Sequence, residues 1–76
     1  MRVTSYPASP DHWKKHFVKV RIMLNGIEQF DVCEADDVAG TVKKLMRDKA
    51  GWLMTKGQGY AAVTLHGTVT FDGVRK

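Results

Sequence analysis

The feature that most constrains this chain is the run Phe17 to Met23 followed by Asn25-Gly26. Val18, Val20 and Ile22 alternate with Lys19 and Arg21, and a period of two in hydrophobicity marks a half-buried β-strand. Asn-Gly then supplies two residues that tolerate positive φ, the strongest short-range signal for a hairpin. Phe30 and Val32, separated by Asp31, continue the alternation on the returning strand. A two-residue turn at Asn25-Gly26 would oppose Val20 with Asp31 and Arg21 with Phe30. A three-residue loop, Leu24 to Gly26 with a bulge at Gly26, pairs Val20 with Phe30, Val18 with Val32 and Lys19 with Asp31. Since a one-residue slip turns every side chain to the other face, burial favours the bulged form.

A second hairpin is expected near the carboxyl end. Tyr60 to Leu65, His66-Gly67 and Thr68 to Phe71 repeat the pattern, with Val63 opposite Val69 and Ala61 opposite Phe71. Leu24-Asn25-Gly26 and Leu65-His66-Gly67 match in place; shared turn chemistry explains this more simply than duplication. Between the hairpins, Asp36 or Asp37 suits a helix N-cap, and Val38, Val42, Leu45 and Met46 recur at helical spacing. Gly51 suits the left-handed position after the last turn, and Arg47 and Lys49 suit the negative end of the helix dipole. Trp52 to Thr55 reads either as a short strand or as an ordered loop. Residues 1–13 hold two prolines and little periodicity, and read as an extended or frayed arm before one domain at 14–76.

The expected fold class is therefore α+β: hairpin, helix, hairpin, with one helix across an antiparallel sheet of about four strands. Its core is Val18, Val20, Ile22, Phe30, Val32, Val42, Leu45, Met46, Val63 and Val69, with Trp52 closing one end. From Asn25 to Gly51 the chain resembles a ubiquitin-like β-grasp domain. The residues that carry the likeness are the Gly26 turn, Glu34 at the strand end, Asp37 before the helix, Val42-Lys43 within it, and Asp48-Lys49 with Gly51 after it. The resemblance implies a β-grasp-like fold and a capacity for protein contacts. The chain ends Val74-Arg75-Lys76, so conjugation through a terminal di-glycine is not expected of it.

Catalytic and metal chemistry lack their usual residue patterns. Zinc sites use tightly spaced Cys/His sets, whereas here Cys33 stands alone, His12 and His16 border the arm, and His66 tops a distant turn. Gly57-Gln58-Gly59 lacks the Lys-Ser/Thr of a phosphate loop. No histidine is aimed at Cys33 or at a serine as a base. No enzyme activity, metal or cofactor is expected. A lone cysteine suits a reducing compartment, and no apolar run approaches the length of a membrane span, so the cytoplasm is the expected location.

Charge is more informative. Residues 1–25 carry five Lys/Arg against one Asp, 26–40 carry five acids and no base, and 41–56 carry five Lys/Arg against one Asp. Lys43, Lys44 and Arg47 would form a basic helix face. Lys14, Lys15 and Trp13 would add a second basic surface with an aromatic within it. The expected function is a small non-catalytic protein-interaction or regulatory module whose partner has an acidic surface. The alternative is nucleic-acid binding, in which these cations contact phosphates and Trp13 stacks on bases. Pairing of a sheet edge with a second copy is a further expectation; membrane binding is not expected.

Overall fold

Alternation does produce a strand at Phe17–Leu24, and strands make up nearly all the regular structure. The computed structural model describes residues 1–76. It contains β1 (Arg2–Thr4), β2 (Phe17–Leu24), β3 (Ile27–Gln29), β4 (Val32–Asp36), β5 (Thr41–Leu45), β6 (Thr55–Lys56), β7 (Gly59–Tyr60), β8 (Ala62–His66) and β9 (Val69–Arg75). Its one helical element is a 3-10 turn at Trp13–Lys15. A four-stranded sheet runs β1-β4-β5-β8, a three-stranded sheet runs β3-β2-β9, and β6-β7 form a small ribbon; all pairs are antiparallel.

The expected α+β fold and the β-grasp resemblance are thereby overturned, because there is no helix to pack on a sheet. The cause lies in residues 36–42. Asp36 Oδ1 accepts hydrogen bonds from the Val38 and Ala39 amides at 2.9 and 3.1 Å, as an N-cap does. The turn then closes: the Gly40 amide donates to the Asp36 carbonyl, and Gly40 takes φ 69°. Beyond it Thr41 and Val42, both β-branched, enter β5, where Val42 is fully buried between Ala35 of β4 and Leu65 of β8. Pairing on both sides outweighs a helix propensity already weakened by Gly40 and two β-branched residues. Asp37, Lys43, Asp48 and Gly51, which carried the likeness, fall on turns and a strand.

The first hairpin also differs. Asn25 and Gly26 both have positive φ, 52° and 79°, and Leu24 pairs directly with Ile27, so the turn is the two-residue type and not the bulged loop. The register conflict that argued against it never arises. The ladder stops at Ile22 opposite Gln29, and Phe30-Asp31 turn a corner, Asp31 at φ 57°. The chain then continues as β4 in the other sheet. Phe30 is consequently 66% exposed instead of buried.

The second expected hairpin does not form: β8 pairs with β5, and β9 pairs with β2. The His66-Gly67-Thr68 link crosses between sheets. It meets the first turn there, since the Thr68 amide donates to Asn25 Oδ1 at 2.9 Å and the Asn25 amide donates to the Thr68 carbonyl at 2.8 Å. The Gly67 amide bonds the Gly40 carbonyl, and a Cβ on Gly40 would stand 2.7 Å from the Gly67 oxygen. Three turns thus close one end of the molecule.

Val3, Phe17, Ile22, Leu24, Ala35, Val42 and Val69 form the core, with Trp13, Val20, Val32, Leu65 and Phe71 packed against it. Burying each larger aliphatic or aromatic side chain contributes about 1.5–3 kcal/mol. Val18 leaves the expected core because it is the extra residue of a bulge: Phe17 opposes Arg75 while Lys19 opposes the adjacent Val74. That insertion shifts the phase, so Phe17 and Ile22 both face inward. Val63, Met46 and Trp52, also expected inside, are exposed, Trp52 at 75%. The amino-terminal residues run extended as β1, where Val3 and Thr4 are buried against β4.

Gly73 lies opposite Val20, and a Cβ there would overlap the Lys19 carbonyl and stand 2.7 Å from Val20 Cα. Backbone cannot yield as a side chain does. Gly73→Ala is expected to lower stability by about 1–3 kcal/mol, whereas Val18→Ala at the exposed bulge should change it by less than about 0.5 kcal/mol; urea denaturation of both variants checks this.

Candidate functional site

Every one of the eight acids is engaged within the chain. Arg2 binds Asp11 and Glu34, Arg21 binds Asp72 at 2.6 Å and lies 4.0 Å from Glu28, and Arg47 binds Asp31. The amino terminus meets Asp37, while Asp36 and Asp48 accept turn amides. No lysine takes part in an ion pair. Arginine suits the paired role because its planar fork matches a carboxylate; lysine's compact, strongly hydrated charge is left to the solvent.

The structure gathers some of the expected cations and separates others. Trp13, Lys14 and Lys15 form the 3-10 turn before β2. The carboxyl end returns beside them, because Arg75 opposes Phe17 and the Lys76 amide donates to the His16 carbonyl at 3.0 Å. Lys14, Lys15, Lys19, Arg75 and Lys76 therefore share one end of the molecule. Arg75 and Lys76 were not among the expected contact residues, because only the pairing of β9 with β2 brings them to this turn. Trp13 is half-buried on the core, and Lys14 Nζ sits 5.6 Å from its ring centre. Arg75 caps the Phe17 ring at 4.9 Å.

Lys43 and Lys44 lie on β5, with no helix face to join them to Arg47. Lys43 is exposed between Glu34 and Thr64, and half-buried Lys44 donates to Gln29 Oε1 at 3.2 Å. Arg47 is not free to contact a partner. Its fork holds both Asp31 oxygens at 2.7 and 2.9 Å, and its third nitrogen donates to the Gly51 carbonyl at 2.6 Å. Arg47 is a clamp on the Asp31 corner.

A cleft of about 320 Å³ opens between the sheets, with Trp13 and Phe30 as walls and Val20, Val32 and Cys33 among its lining. The carboxylates at its margin, Glu28, Asp31 and Glu34, each lie within ion-pair distance of an arginine. Cys33 is buried and its thiol donates to the Lys43 carbonyl at 3.3 Å, with no base positioned to activate it. No three His, Cys, Asp or Glu side chains converge to hold a metal ion. No helix is long and apolar enough to cross a membrane.

Hydrogen bonding from Arg47 holds the Asp31 carboxyl below its ordinary range, and the Ala39 and Val38 amides do the same for Asp36. A depressed folded-state pKa contributes stability that is present above the unfolded value, near pH 4, and is lost as the pH falls through the folded value. The urea midpoint should accordingly drop on acidification below about pH 4. Asp31→Asn should lower the midpoint at neutral pH and flatten that drop; an unchanged pH profile in the variant would show that the Arg47 clamp contributes nothing.

Compared with protein-family models, curated proteins and solved structures, the chain matches none.

Proposed function

We propose that this chain is a small non-catalytic interaction module that binds a protein partner with an acidic surface. The observation that supports this reading is the division of labour among charges: every acid is used internally, while Lys14, Lys15, Lys19 and Lys76 share one end and pair with none. An anionic surface docking there would meet a cluster of lysine side chains that no ion pair within the chain neutralises. Trp13 anchors the turn that presents these lysines. Lys43, on the outer face of the four-stranded sheet, is a separate and weaker contact. The cytoplasm suits a buried free thiol such as Cys33.

Nucleic acid is the rival anionic partner. Half-burial of Trp13, with Lys14 over its ring, leaves little aromatic face for base stacking, which favours the protein partner. Fluorescence anisotropy with a labelled polyglutamate peptide and with single- and double-stranded DNA, at about 50 and about 200 mM salt, separates the two. The peptide should bind at low salt, and Lys14→Glu with Lys15→Glu and Lys76→Glu should weaken it at least about tenfold, with Lys43→Glu doing much less. Preferential binding to DNA would establish the rival. Binding to neither at low salt would end both readings.

A further inference from the structure

The two larger sheets end in four edge strands, and three of these are covered or blunted. The outer edge of β1 is covered by the chain that follows it, with the Thr4 amide bonded to the Asp11 carbonyl and a bridge from Thr4 to His12. β3 is three residues long. β9 carries the charged residues Asp72 and Arg75. Of these four, only β8, Ala62-Val63-Thr64-Leu65-His66, is long, uncovered and free of Lys, Arg, Asp, Glu, proline and bulge. Proteins ordinarily protect such an edge by one of those devices.

The ladder gives the direction of each backbone group on β8. The Met46 amide donates to the Ala61 carbonyl and the Gly67 amide donates to the Gly40 carbonyl. Hydrogen-bonded pairs alternate along an antiparallel ladder, so Val63 and Leu65 point their amides and carbonyls at β5. Those of Ala62, Thr64 and His66 point away from the sheet, into solvent. Three residues with the middle one as centre are self-complementary under a two-fold axis.

We infer that two copies of this chain associate by antiparallel pairing of β8 with β8, the two-fold axis passing between the two Thr64 residues. Thr64 meets Thr64, and Ala62 meets His66 of the second copy. The contact forms about six backbone hydrogen bonds and joins two four-stranded sheets into one of eight. Charge does not oppose it. Lys43, one strand inward, lies about three strand spacings, or about 14 Å, from its counterpart, beyond the screening length of about 8 Å at physiological salt. A contact of this size forms a weak dimer that responds to concentration. The inference is independent of the proposed anionic partner, since the β8 edge and the lysine-rich end share no residue.

Sedimentation velocity from about 10 µM to about 1 mM should show monomer passing to dimer and no larger species. Thr64→Lys places two cations on the axis at an exposed position and should weaken association at least about tenfold while leaving the thermal transition cooperative. A disulfide supplies the register. Thr64 Cα atoms would lie about 5.5 Å apart, within disulfide reach, whereas two Ala62 residues would lie about 14 Å apart. With oxidised glutathione, Thr64→Cys should therefore cross-link rapidly, while Ala62→Cys and the unsubstituted chain, whose Cys33 is buried, should not. A monomer at every concentration, oligomers larger than dimers, or equal cross-linking at positions 62 and 64 would each overturn the inference.

Discussion

At Asp31 the chain leaves one sheet and enters the other, and a left-handed residue with a branched polar side chain must be held there. Asp31 sits at φ 57°, a conformation disfavoured for any side-chain-bearing residue and tolerated best by Asn and Asp. The Arg47 fork grips its carboxylate, and its own carbonyl accepts from the Leu45 amide at 2.9 Å. One corner is thus tied to β5 and to the excursion beyond it. If the corner straightened, β3 and β4 would run on as one strand. The inner faces of the two sheets, with Ile22 on one and Val42 on the other, would then no longer meet.

The same constraint organises the charges. Arginines, whose geometry rewards a fixed carboxylate, tie neighbouring strands and the corner: Arg2 spans β1 and β4, Arg21 spans β2, β3 and β9, and Arg47 holds the corner between the sheets. With all acids drawn into these pairs and into turn caps, the excess positive charge resides on the lysines and Arg75. Exposed ion pairs individually stabilise little, so their larger effect is to decide which charges remain outward. The lysine-rich end exists because β9 brings Arg75 and Lys76 back to the 3-10 turn, a consequence of pairing across some fifty residues of sequence.

Several local features were legible from residues alone. The strand at Phe17–Leu24, a chain reversal at Asn25-Gly26, and burial of Ile22, Val42 and Val69 follow from short-range pattern, whereas the turn type was not legible and Asp36, expected with Asp37 as a candidate helix cap, caps only a turn. The expected helix failed where local signals were ambiguous. Val42 and Leu45 are spaced as a helix requires, yet Val42 also fits a strand, and only neighbours on both sides could decide. The bulge at Val18 is likewise invisible without its partner strand, because the phase shift is defined by what lies opposite. Of the expected contact residues, Lys14 and Lys15 remain outward, Lys43 and Lys44 lie on a different sheet, and Arg47 is occupied.

The sequence by itself determined where the chain reverses at Asn25-Gly26, the presence of a half-buried strand before it and the surplus of lysine, since these depend on backbone preferences and composition within a few residues. Which strands pair, that 41–45 extends and does not coil, and which cations gather were decided by tertiary structure. The physical reason is that β-pairing energy comes from distant segments. A strand's identity is settled by the hydrogen-bond partners and buried faces it finds, and those lie outside any local window.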